Sequence, residues 1–379
     1  MPKLLYLITE DWFFVSHFLP MAQAARECGY QVAVATRVRG AGERIKADGI
    51  AVIPVESRRG SFSPLVAIRD FIQLFSIVRA QRPDIVHCIA LRPIMIGGLA
   101  ARLAGTKALI LAPTGLGYLW LKPGMMGRLI RGAVRFVVGS LLYSRGTRYL
   151  FENREDPVAL GLDPDAANIT VVGGAGVDPA EFSVSVEPPA PPMRVAVVAR
   201  MIWPKGIGEA VAAVRRARES GAEIELDLFG QPDPSNPRSI PEQTLREWSL
   251  LPGIAWRGPT RDIAAVWREH HVALFLSAYP EGLPRTLVEA AAAGRPVVTT
   301  DVTGCREVVR NGIEGFLVPP GDEEAAAHAL TALAADPVLR AKFGAAARAR
   351  FEQRFTAEAV KQKIRGLYQS LSVRPNGAR

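Results

Sequence analysis

Short apolar runs alternate with amphipathic stretches along the first half of the chain, and each apolar run has the length of a β-strand. In the stretches between them, apolar residues recur every three or four positions, as they do on one face of a helix. Strands that alternate with helices are typical of a parallel sheet. The pattern therefore predicts a parallel α/β domain with strands at residues 4–8, 32–36, 51–55, 85–88 and 109–112.

A proline-rich segment, residues 186–192, then interrupts this alternation. Proline lacks a backbone N–H and is excluded from helix interiors and central strands, so the segment favours a stiff connection. Beyond residue 322 the pattern is almost wholly helical, with breaks at Asp336-Pro337 and Phe355-Thr356. Between these two regions the alternation restarts, with strand-like runs at 195–198, 224–229, 272–276 and 297–299.

The length of 379 residues exceeds what one hydrophobic core usually supports. We therefore expect two Rossmann-like, doubly wound parallel-sheet domains, at residues 1–183 and 193–350, joined by a linker at 184–192. The C-terminal helices, at residues 351–379, can cross back to the N-terminal domain.

The composition is that of a folded protein, because 49% of the residues are hydrophobic and 22% are charged. Three cysteines without paired spacing, Cys28, Cys88 and Cys305, argue against a disulfide framework and favour a reducing compartment. Because a strand-like run begins at Leu4, no room is left for a signal peptide, and no apolar run reaches the ~20 residues that span a bilayer. We expect a cytoplasmic protein.

The net charge of +9 is unevenly distributed, and no acidic residue lies between Asp84 and Glu152. One interpretation is a basic, apolar face for an anionic membrane, which would place the protein peripherally at the inner face of the cytoplasmic membrane. The alternative is an ordinary helix with outward arginines and a buried stripe of Ile130, Val134, Val137, Val138 and Leu141. The cations of this stretch are Arg92, Arg102, Lys107, Lys122, Arg128, Arg131, Arg135, Arg145 and Arg148.

The candidate chemistry lies where the strand at 272–276 passes through a turn into an Ala-rich helix, because ligands bind at the carboxyl edge of open α/β sheets. Gly282 permits close approach of the backbone to a ligand, and Pro284 suits the first helical turn, which favours a phosphate. Glu281 and Glu289 are eight positions apart and can hold opposite ends of one elongated ligand. We assign Glu289 to a ribose and Glu281 to a sugar; the alternative is a solvated turn and a surface ion pair.

A second basic signal follows the strand at 195–198. Arg200 comes directly after Ala199, and Lys205 precedes Gly206 at the start of a helix. A planar guanidinium and a compact ammonium can together clamp a diphosphate and neutralise the charge on a departing nucleoside diphosphate. The alternative is that both cations only promote solubility.

Together these motifs resemble glycosyltransferase family 4, whose members have the GT-B fold of two Rossmann-like domains facing across a cleft. The segments 174–178, 304–309 and 311–318 also resemble the family. The resemblance implies catalytic roles for Arg200, Lys205 and Glu281. It implies donor contacts from these three and from Gly282, Leu283, Pro284, Arg285, Thr286, Leu287 and Glu289.

The same resemblance implies a retaining hexosyltransferase with a nucleotide-sugar donor, which we expect to be a UDP-linked N-acetylhexosamine or hexose. No cofactor or metal is expected, since protein cations and helix ends meet the leaving-group charge. Neither Asp163-Pro164-Asp165 nor the five histidines have the setting of a metal site. The acceptor expected is a hydroxyl of a glycan or of a polyprenyl-diphosphate-linked sugar, in cell-surface polysaccharide assembly.

In the first domain, residues 10–17 occupy the place where many family members carry a Gly pair. Trp12 and His17, with the segment 114–118, resemble members that lengthen surface polysaccharides or lipid-linked oligosaccharides. The candidate acceptor-side residues are Trp12, Ser16, His17, Thr114 and Gly115.

Three rival functions stay open at this stage. One is an epimerase or phosphorylase of the same fold, since a fold does not fix a function. Another is a basic nucleic-acid-binding protein, which lacks support because the basic stretch is strongly apolar and carries no recognition motif. The third is a scaffold with an inactive donor site, although all four charged donor residues are present.

Overall fold

The computed structural model describes residues 1–56, 63–234 and 236–371, and for residues 118 and 119 it describes the backbone alone. The chain forms two compact units. The first unit consists of Met1–Gly176 together with the C-terminal segment that begins at Ala357, and the second unit is Val177–Thr356. Residues 372–379, the end of the predicted C-terminal segment, lie outside the described residues.

The first unit is built on a seven-stranded sheet in which every described pairing is parallel, in the order β3-β2-β1-β4-β5-β6-β7. The five strands predicted for this half are confirmed, while β6 and β7 were not predicted. The strands are β1 Lys3–Glu10, β2 Gln31–Arg37, β3 Ala51–Pro54, β4 Ile85–Ile89, β5 Ala108–Ala112, β6 Thr147–Phe151 and β7 Ile169–Val171.

Helices cover both faces of this sheet, and three of them contain a five-residue π turn. The π turns are Phe14–Phe18, Ile94–Gly98 and Val137–Leu141. The α-helices are Asp11–Phe13, Leu19–Glu27, Gly42–Ala47, Pro64–Gln81, Leu91–Pro93, Leu99–Leu103, Gly117–Leu121, Gly124–Phe136, Glu155–Ala159 and Ala357–Leu371. Among the described residues, every helix of the chain is too short or too polar to cross a bilayer.

The C-terminal helix Ala357–Leu371 belongs to the first core because its apolar face is buried there together with Tyr368. The Tyr368 hydroxyl is hydrogen-bonded to the Tyr6 hydroxyl and lies 3.2 Å from His87 Nδ1. The Tyr30 hydroxyl donates to the Tyr368 carbonyl over 3.1 Å. This buried polar cluster fixes the last helix on the first unit.

The second unit contains a six-stranded sheet, again parallel in every described pairing, in the order β10-β9-β8-β11-β12-β13. The four strands predicted here are confirmed. The strands are β8 Met193–Val198, β9 Ile224–Phe229, β10 Ile254–Gly258, β11 Val272–Phe275, β12 Val297–Thr300 and β13 Gly315–Val318.

Helices also pack on both faces of the second sheet. Asp336, predicted as a helix start, accepts a hydrogen bond from the Leu339 N–H over 2.9 Å and so caps its helix. A 3₁₀ turn covers Trp203–Lys205, and the α-helices are Ile207–Glu219, Glu242–Trp248, Ile263–Glu269, Arg285–Ala292, Cys305–Val308, Glu323–Ala335 and Pro337–Arg354.

The boundaries of the units differ from the sequence-based domains. The chain passes from the first unit to the second at Gly176 and Val177, so the segment 184–192 belongs to the second unit instead of linking the two. Buried cations hold that segment: Arg295 donates to Ser185 Oγ over 2.7 Å, and Arg340 pairs with Glu187 over 3.1 Å. Sequence patterns show that prolines stiffen this segment but not that distant arginines bind it.

Candidate functional site

The candidate donor residues lie at the carboxyl edge of the second sheet. Lys205 follows β8 in the Trp203–Lys205 turn, and Glu281 lies between β11 and the helix Arg285–Ala292. That helix begins after Pro284, whose backbone is extended and whose ring offers no acceptor to the first helical N–H groups. The edge therefore combines a cation, a carboxylate and a helix N-terminus, as the sequence predicts.

Lys205 and Glu281 form an ion pair within the second unit. Lys205 Nζ lies 2.8 Å from each carboxylate oxygen of Glu281, and the two side chains are only 15% and 12% exposed. The ammonium also faces the rings of Phe275 and Tyr279, at 5.2 and 5.9 Å from their centroids. Negative ring faces and a carboxylate therefore surround the ammonium.

A glycine lets Lys205 reach this position. Gly206 has a φ of +72°, and a Cβ at this residue would lie 1.8 Å from the carbonyl oxygen of Leu276. The close approach brings the end of the 3₁₀ turn against the end of β11, where Ala278 N–H donates to the Pro204 carbonyl over 3.0 Å. Only a residue without a side chain fits this contact.

Ser277 is a member of the site that the sequence analysis did not select. Its hydroxyl is buried and donates to Glu281 Oε1 over 2.7 Å, which fixes the carboxylate that Lys205 also contacts. The signal was its place directly after a buried strand, four residues before Glu281. A second brace comes from Glu281 N–H, which donates to the Thr303 carbonyl over 3.0 Å.

Arg200 is paired with Asp233, another residue that the sequence analysis did not select. Arg200 Nη1 donates to Asp233 Oδ2 over 2.8 Å. Asp233 lies in the loop that follows β9, so both residues come from carboxyl ends of neighbouring strands. The signal was an acidic residue after a strand and a Gly-Gln-Pro turn. The Arg200 side chain remains 40% exposed, so it can still reach a ligand.

Glu289 lies on the helix Arg285–Ala292 and is almost fully buried. Arg285 Nε donates to Glu289 Oε1 over 2.7 Å, four residues along the same helix. Burial raises the pKa of the Glu289 carboxyl above its ordinary value, and the neighbouring Arg285 guanidinium opposes that rise. The ion pair of the alternative interpretation is therefore present, but the Glu289 carboxylate is buried and not on the surface.

Each charged residue predicted to bind the donor thus forms an ion pair within the second unit. Lys205 contacts Glu281, Arg200 contacts Asp233, and Glu289 contacts Arg285. The joint clamping of a diphosphate by Arg200 and Lys205 stays a prediction. Gly282, Leu283 and Pro284 form the turn between Glu281 and the helix, whereas Thr286 and Leu287 lie in its first turn.

The acceptor-side candidates lie in the first unit, after the ends of β1 and β5. Ser16 Oγ lies 2.6 Å from His17 Nδ1, and the His17 ring packs 4.5 Å from that of Phe13. The π turn Phe14–Phe18 places them, and Trp12 is 44% exposed at its start. Thr114 and Gly115 follow β5, and β4 separates that strand from β1.

Asp11 organises this turn and was missed in the sequence analysis. Its carboxylate is fully buried, and it accepts hydrogen bonds from the N–H groups of Trp12, Arg39 and Ala41 at 2.7–2.9 Å. A small recess of about 30 Å³ lies beside the end of β1, lined by Thr9 and by the ion pair of Asp70 and Arg92 among apolar side chains. The first unit therefore has its own recess at its carboxyl edge.

Within the described residues, no group of three or more His, Cys, Asp or Glu side chains could hold a metal ion. Asp163 accepts a hydrogen bond from the N–H of Asp165 over 3.0 Å, and Asp165 pairs with Arg154 over 2.6 Å. This geometry gives the Asp163–Asp165 segment the turn role that the sequence favours.

Comparison with known proteins identifies both halves of the chain. Residues 3–139 match the family model described as glycosyl transferase 4-like, and residues 192–336 match the one described as glycosyl transferases group 1. The two matches together cover most of the chain. The first match ends before the boundary between the two units, and the second match begins after it.

Two curated relatives have similar sequences. The chain is 24% identical to N,N'-diacetylbacillosaminyl-diphospho-undecaprenol alpha-1,3-N-acetylgalactosaminyltransferase of Campylobacter jejuni, over 86% of this chain and 88% of that protein. It is 27% identical to the amylovoran biosynthesis glycosyltransferase AmsK of Erwinia amylovora, over 57% of this chain and 53% of that protein. The chain thus matches about half of the length of the second relative.

Among solved structures, Anabaena Alr3699/HepE in complex with UDP-glucose has a similar fold. The TM-score is 0.75 at 18% identity, and the match covers 98% of this chain and 100% of that chain. The likeness confirms the GT-B class for the two parallel-sheet units. The chain belongs to the glycosyltransferases, with a family 4-like N-terminal half and a group 1 C-terminal half.

Proposed function

We propose that the protein transfers a hexose or N-acetylhexosamine from a UDP-sugar to a hydroxyl group of a glycan or polyprenyl-diphosphate-linked acceptor. The transfer retains the anomeric configuration and needs no metal ion. The observation that carries the proposal is the buried contact between Lys205 and Glu281 at the carboxyl edge of the second sheet. The activities for which the relatives are named support the acceptor class, and the UDP-glucose complex of the structural relative supports the donor class.

In this mechanism Glu281 accepts hydrogen bonds from hydroxyls of the donor sugar, and Glu289 accepts them from the ribose. Hydrogen bonds to an ionised carboxylate contribute about 1.5 to 3 kcal/mol each. Ser277 holds one oxygen of Glu281, so the other is the freer acceptor. The Arg285 guanidinium favours the ionised form of Glu289, which accepts hydrogen bonds, and so opposes the effect of burial.

Lys205 and Arg200 meet the charge of the leaving group. As the bond between the anomeric carbon and the phosphate oxygen breaks, its electron pair remains on the nucleoside diphosphate. The acceptor oxygen forms its bond on the same face of the sugar, and its proton passes to the departing phosphate oxygen. Cations fixed before the reaction stabilise this growing charge without reorganisation. Asp233 and Glu281 fix the two cations in advance.

The charge and the apolar residues of the first unit support a polyprenyl-diphosphate-linked acceptor. A polyprenyl diphosphate presents negative charge and an apolar tail, and the stretch between Asp84 and Glu152 is basic and apolar. The protein would then act at the inner face of the cytoplasmic membrane, as a peripheral protein. His17 and Trp12 are the side chains of the first unit proposed to contact the acceptor.

A transfer assay tests this function. The purified protein is incubated with UDP-hexoses and UDP-N-acetylhexosamines and a polyprenyl-diphosphate-linked saccharide, with and without EDTA. The product is detected by mass spectrometry, and its new linkage is assigned by NMR. We expect transfer that survives EDTA and keeps the donor's anomeric configuration. Inverted product, or activity that EDTA abolishes, contradicts the mechanism; no transfer from any donor contradicts the function.

A further inference from the structure

The helix Gly124–Phe136 of the first unit exposes large apolar side chains to solvent. Met125, Leu129 and Phe136 are 70%, 62% and 61% exposed. Most exposed apolar residues of a protein are scattered singly and carry no meaning, whereas a continuous apolar surface marks an interaction site. These three side chains mark such a site only if they form one surface.

Helical geometry places them together. Since each residue turns the helix by about 100°, Met125, Leu129 and Phe136 lie within an arc of about 40°. Val134, which is buried, lies on the opposite side, and Gly127 is buried beside it. The inward stripe that the sequence analysis offered as an alternative is present through Val134 and Val138. The exposed stripe is thus a second apolar face on the same helix.

Cations border the exposed stripe. Arg128 and Arg135 are exposed and lie on the same flank of the helix, about 60° to 80° from Met125. The Arg135 guanidinium is fixed by a hydrogen bond from Nε to the Ala159 carbonyl over 2.8 Å and by the ring of Trp120. No acidic residue between Asp84 and Glu152 offsets these charges.

A second helix on the same face of the first sheet also exposes large apolar side chains. Leu65, Ile68 and Ile72 are exposed on the helix Pro64–Gln81. Inward residues of this helix and of Gly124–Phe136 belong to one core cluster, which covers one face of the first sheet. More than half of the exposed large apolar side chains of the described residues lie between residues 65 and 143.

We propose that the outward face of the helix Gly124–Phe136, defined by Met125, Leu129, Phe136, Arg128 and Arg135, docks the protein on an anionic lipid bilayer. The helix lies in the plane of the interface, with the three apolar side chains at the acyl boundary and the two arginines at lipid phosphates. This inference rests on the proposed function, because a lipid-linked acceptor requires the enzyme at a membrane.

A second copy of the chain is the other occupant to consider, and the charges argue against it. In a two-fold contact the same surface meets itself, so both copies would bring Arg128 and Arg135 into the contact. The stretch from residue 85 to residue 151 offers no carboxylate to pair with them. An anionic lipid surface supplies the missing negative charge.

Vesicle co-sedimentation of the full chain tests the surface. The probes are vesicles of phosphatidylcholine with phosphatidylglycerol and vesicles of phosphatidylcholine alone, at low and high salt. The test variant is Met125→Ser/Leu129→Ser/Phe136→Ser, and a second variant is Arg128→Gln. The matched controls are Leu250→Ser/Val338→Ser, whose apolar side chains are exposed on the second unit, and Arg246→Gln.

We expect the wild type to bind the anionic vesicles, more strongly at low salt, and the triple variant to lose at least ten-fold in partitioning. Arg128→Gln should lower binding to anionic vesicles only, and the controls should match the wild type. Equal binding by the triple variant and the wild type, or no binding by the wild type, would overturn the proposal. So would a dimer in light scattering that the triple variant dissociates.

Failure of membrane docking can be distinguished from failure of the proposed sugar transfer. No donor or acceptor is present with the vesicles, so a negative result there leaves sugar transfer untouched. Thermal stabilisation of the triple variant by UDP-sugars, measured without lipid, should equal that of the wild type. Because the replaced side chains are largely exposed, unchanged circular dichroism is expected and shows that the fold is retained.

Discussion

The side-chain nitrogen of Lys205 lies 2.8 Å from both carboxylate oxygens of Glu281. The pair neutralises itself in the absence of substrate, and a bound donor gives each partner a new contact: the diphosphate for the ammonium and sugar hydroxyls for the carboxylate. The charge on the leaving group is largest in the transition state, so the Lys205 contact should contribute most there.

We therefore expect Lys205→Ala to lower kcat by roughly 100- to 1000-fold, the usual cost of removing one preorganised charge stabiliser. Donor affinity should fall much less. Steady-state kinetics of sugar transfer, combined with calorimetric binding of the UDP-sugar, separate the two effects. Arg246→Ala, in which an exposed surface ion pair is lost, is the control. Unchanged turnover in Lys205→Ala would remove Lys205 from the mechanism.

Donor binding should weaken at acid pH through Glu289. Burial raises the pKa of this carboxyl above 4.5, so it takes up a proton at a higher pH than an exposed glutamate does. The protonated form is a poorer acceptor for ribose hydroxyls, and affinity should fall as the pH is lowered toward 4.5, by up to about tenfold per pH unit below the pKa. Calorimetry with a UDP-sugar measures this.

The comparison variant for that profile is Glu289→Gln, which cannot titrate. It should bind the donor more weakly at neutral pH and show a flatter profile. If donor affinity depends on pH in Glu289→Gln as it does in the wild type, a group other than Glu289 titrates. A UDP-sugar is the suitable ligand because its diphosphate is esterified at both ends.

Gly206→Ala should destabilise the second unit and abolish donor binding. The added Cβ would meet the Leu276 carbonyl oxygen at 1.8 Å, so the turn that carries Lys205 must move. Gly221→Ala is the matched control, because Gly221 also has a positive φ, yet nothing lies within 4 Å of its Cβ. The control should lose about 1 to 2 kcal/mol, the cost of the left-handed conformation alone. Equal unfolding midpoints for both variants would contradict the close contact.

His87 should make the first unit sensitive to acid. Burial lowers the pKa of His87 to about 3, from 6.5 for an exposed histidine. The unfolded chain therefore binds a proton below pH 6.5 that the folded unit excludes until about pH 3. The contribution of His87 to the free energy of unfolding should fall by about 1.4 kcal/mol per pH unit in this window. Asp156, whose pKa burial raises to about 7, contributes in the opposite direction.

Urea unfolding of the wild type and of His87→Gln at pH 7 and at pH 5, followed by circular dichroism, isolates the His87 contribution. His87→Gln should lose less stability between the two pH values than the wild type does, whereas His328→Gln, at an exposed position, should behave as the wild type. If His87→Gln unfolds with the pH dependence of the wild type, His87 does not carry the acid sensitivity.

The hydrophobic pattern predicted the most central strands and the edge strand β3, but it missed β6, β7 and β10. β1, β4, β8 and β11 are almost continuous apolar runs, because helices bury both faces of a parallel sheet. β10 has the sequence Ile-Ala-Trp-Arg-Gly and is only partly buried at the edge of its sheet. Such a strand has an apolar run of only three residues, which is too short to identify it, because solvent accepts its polar side chains.

The charged residues of the site could be selected from the sequence, but their partners could not. Lys205 and Glu281 are 76 residues apart, and their contact depends on the adjacency of β8 and β11. Asp233 was overlooked because one acidic loop residue has no distinguishing spacing. The residue type and its position after a strand indicate which side chains lie at the carboxyl edge of a sheet. The order of the strands in the sheet determines which of these side chains contact each other.

The most direct test of the donor site is the thermal stabilisation of the protein by a panel of nucleoside-diphosphate sugars, with and without EDTA, in the wild type and in Glu289→Ala. We expect UDP-sugars to raise the unfolding temperature of the wild type. EDTA should not reduce this shift, and the shift should disappear in Glu289→Ala. No shift with any sugar nucleotide, or a shift that EDTA removes, would contradict a metal-independent UDP-sugar site at the edge where Lys205 meets Glu281.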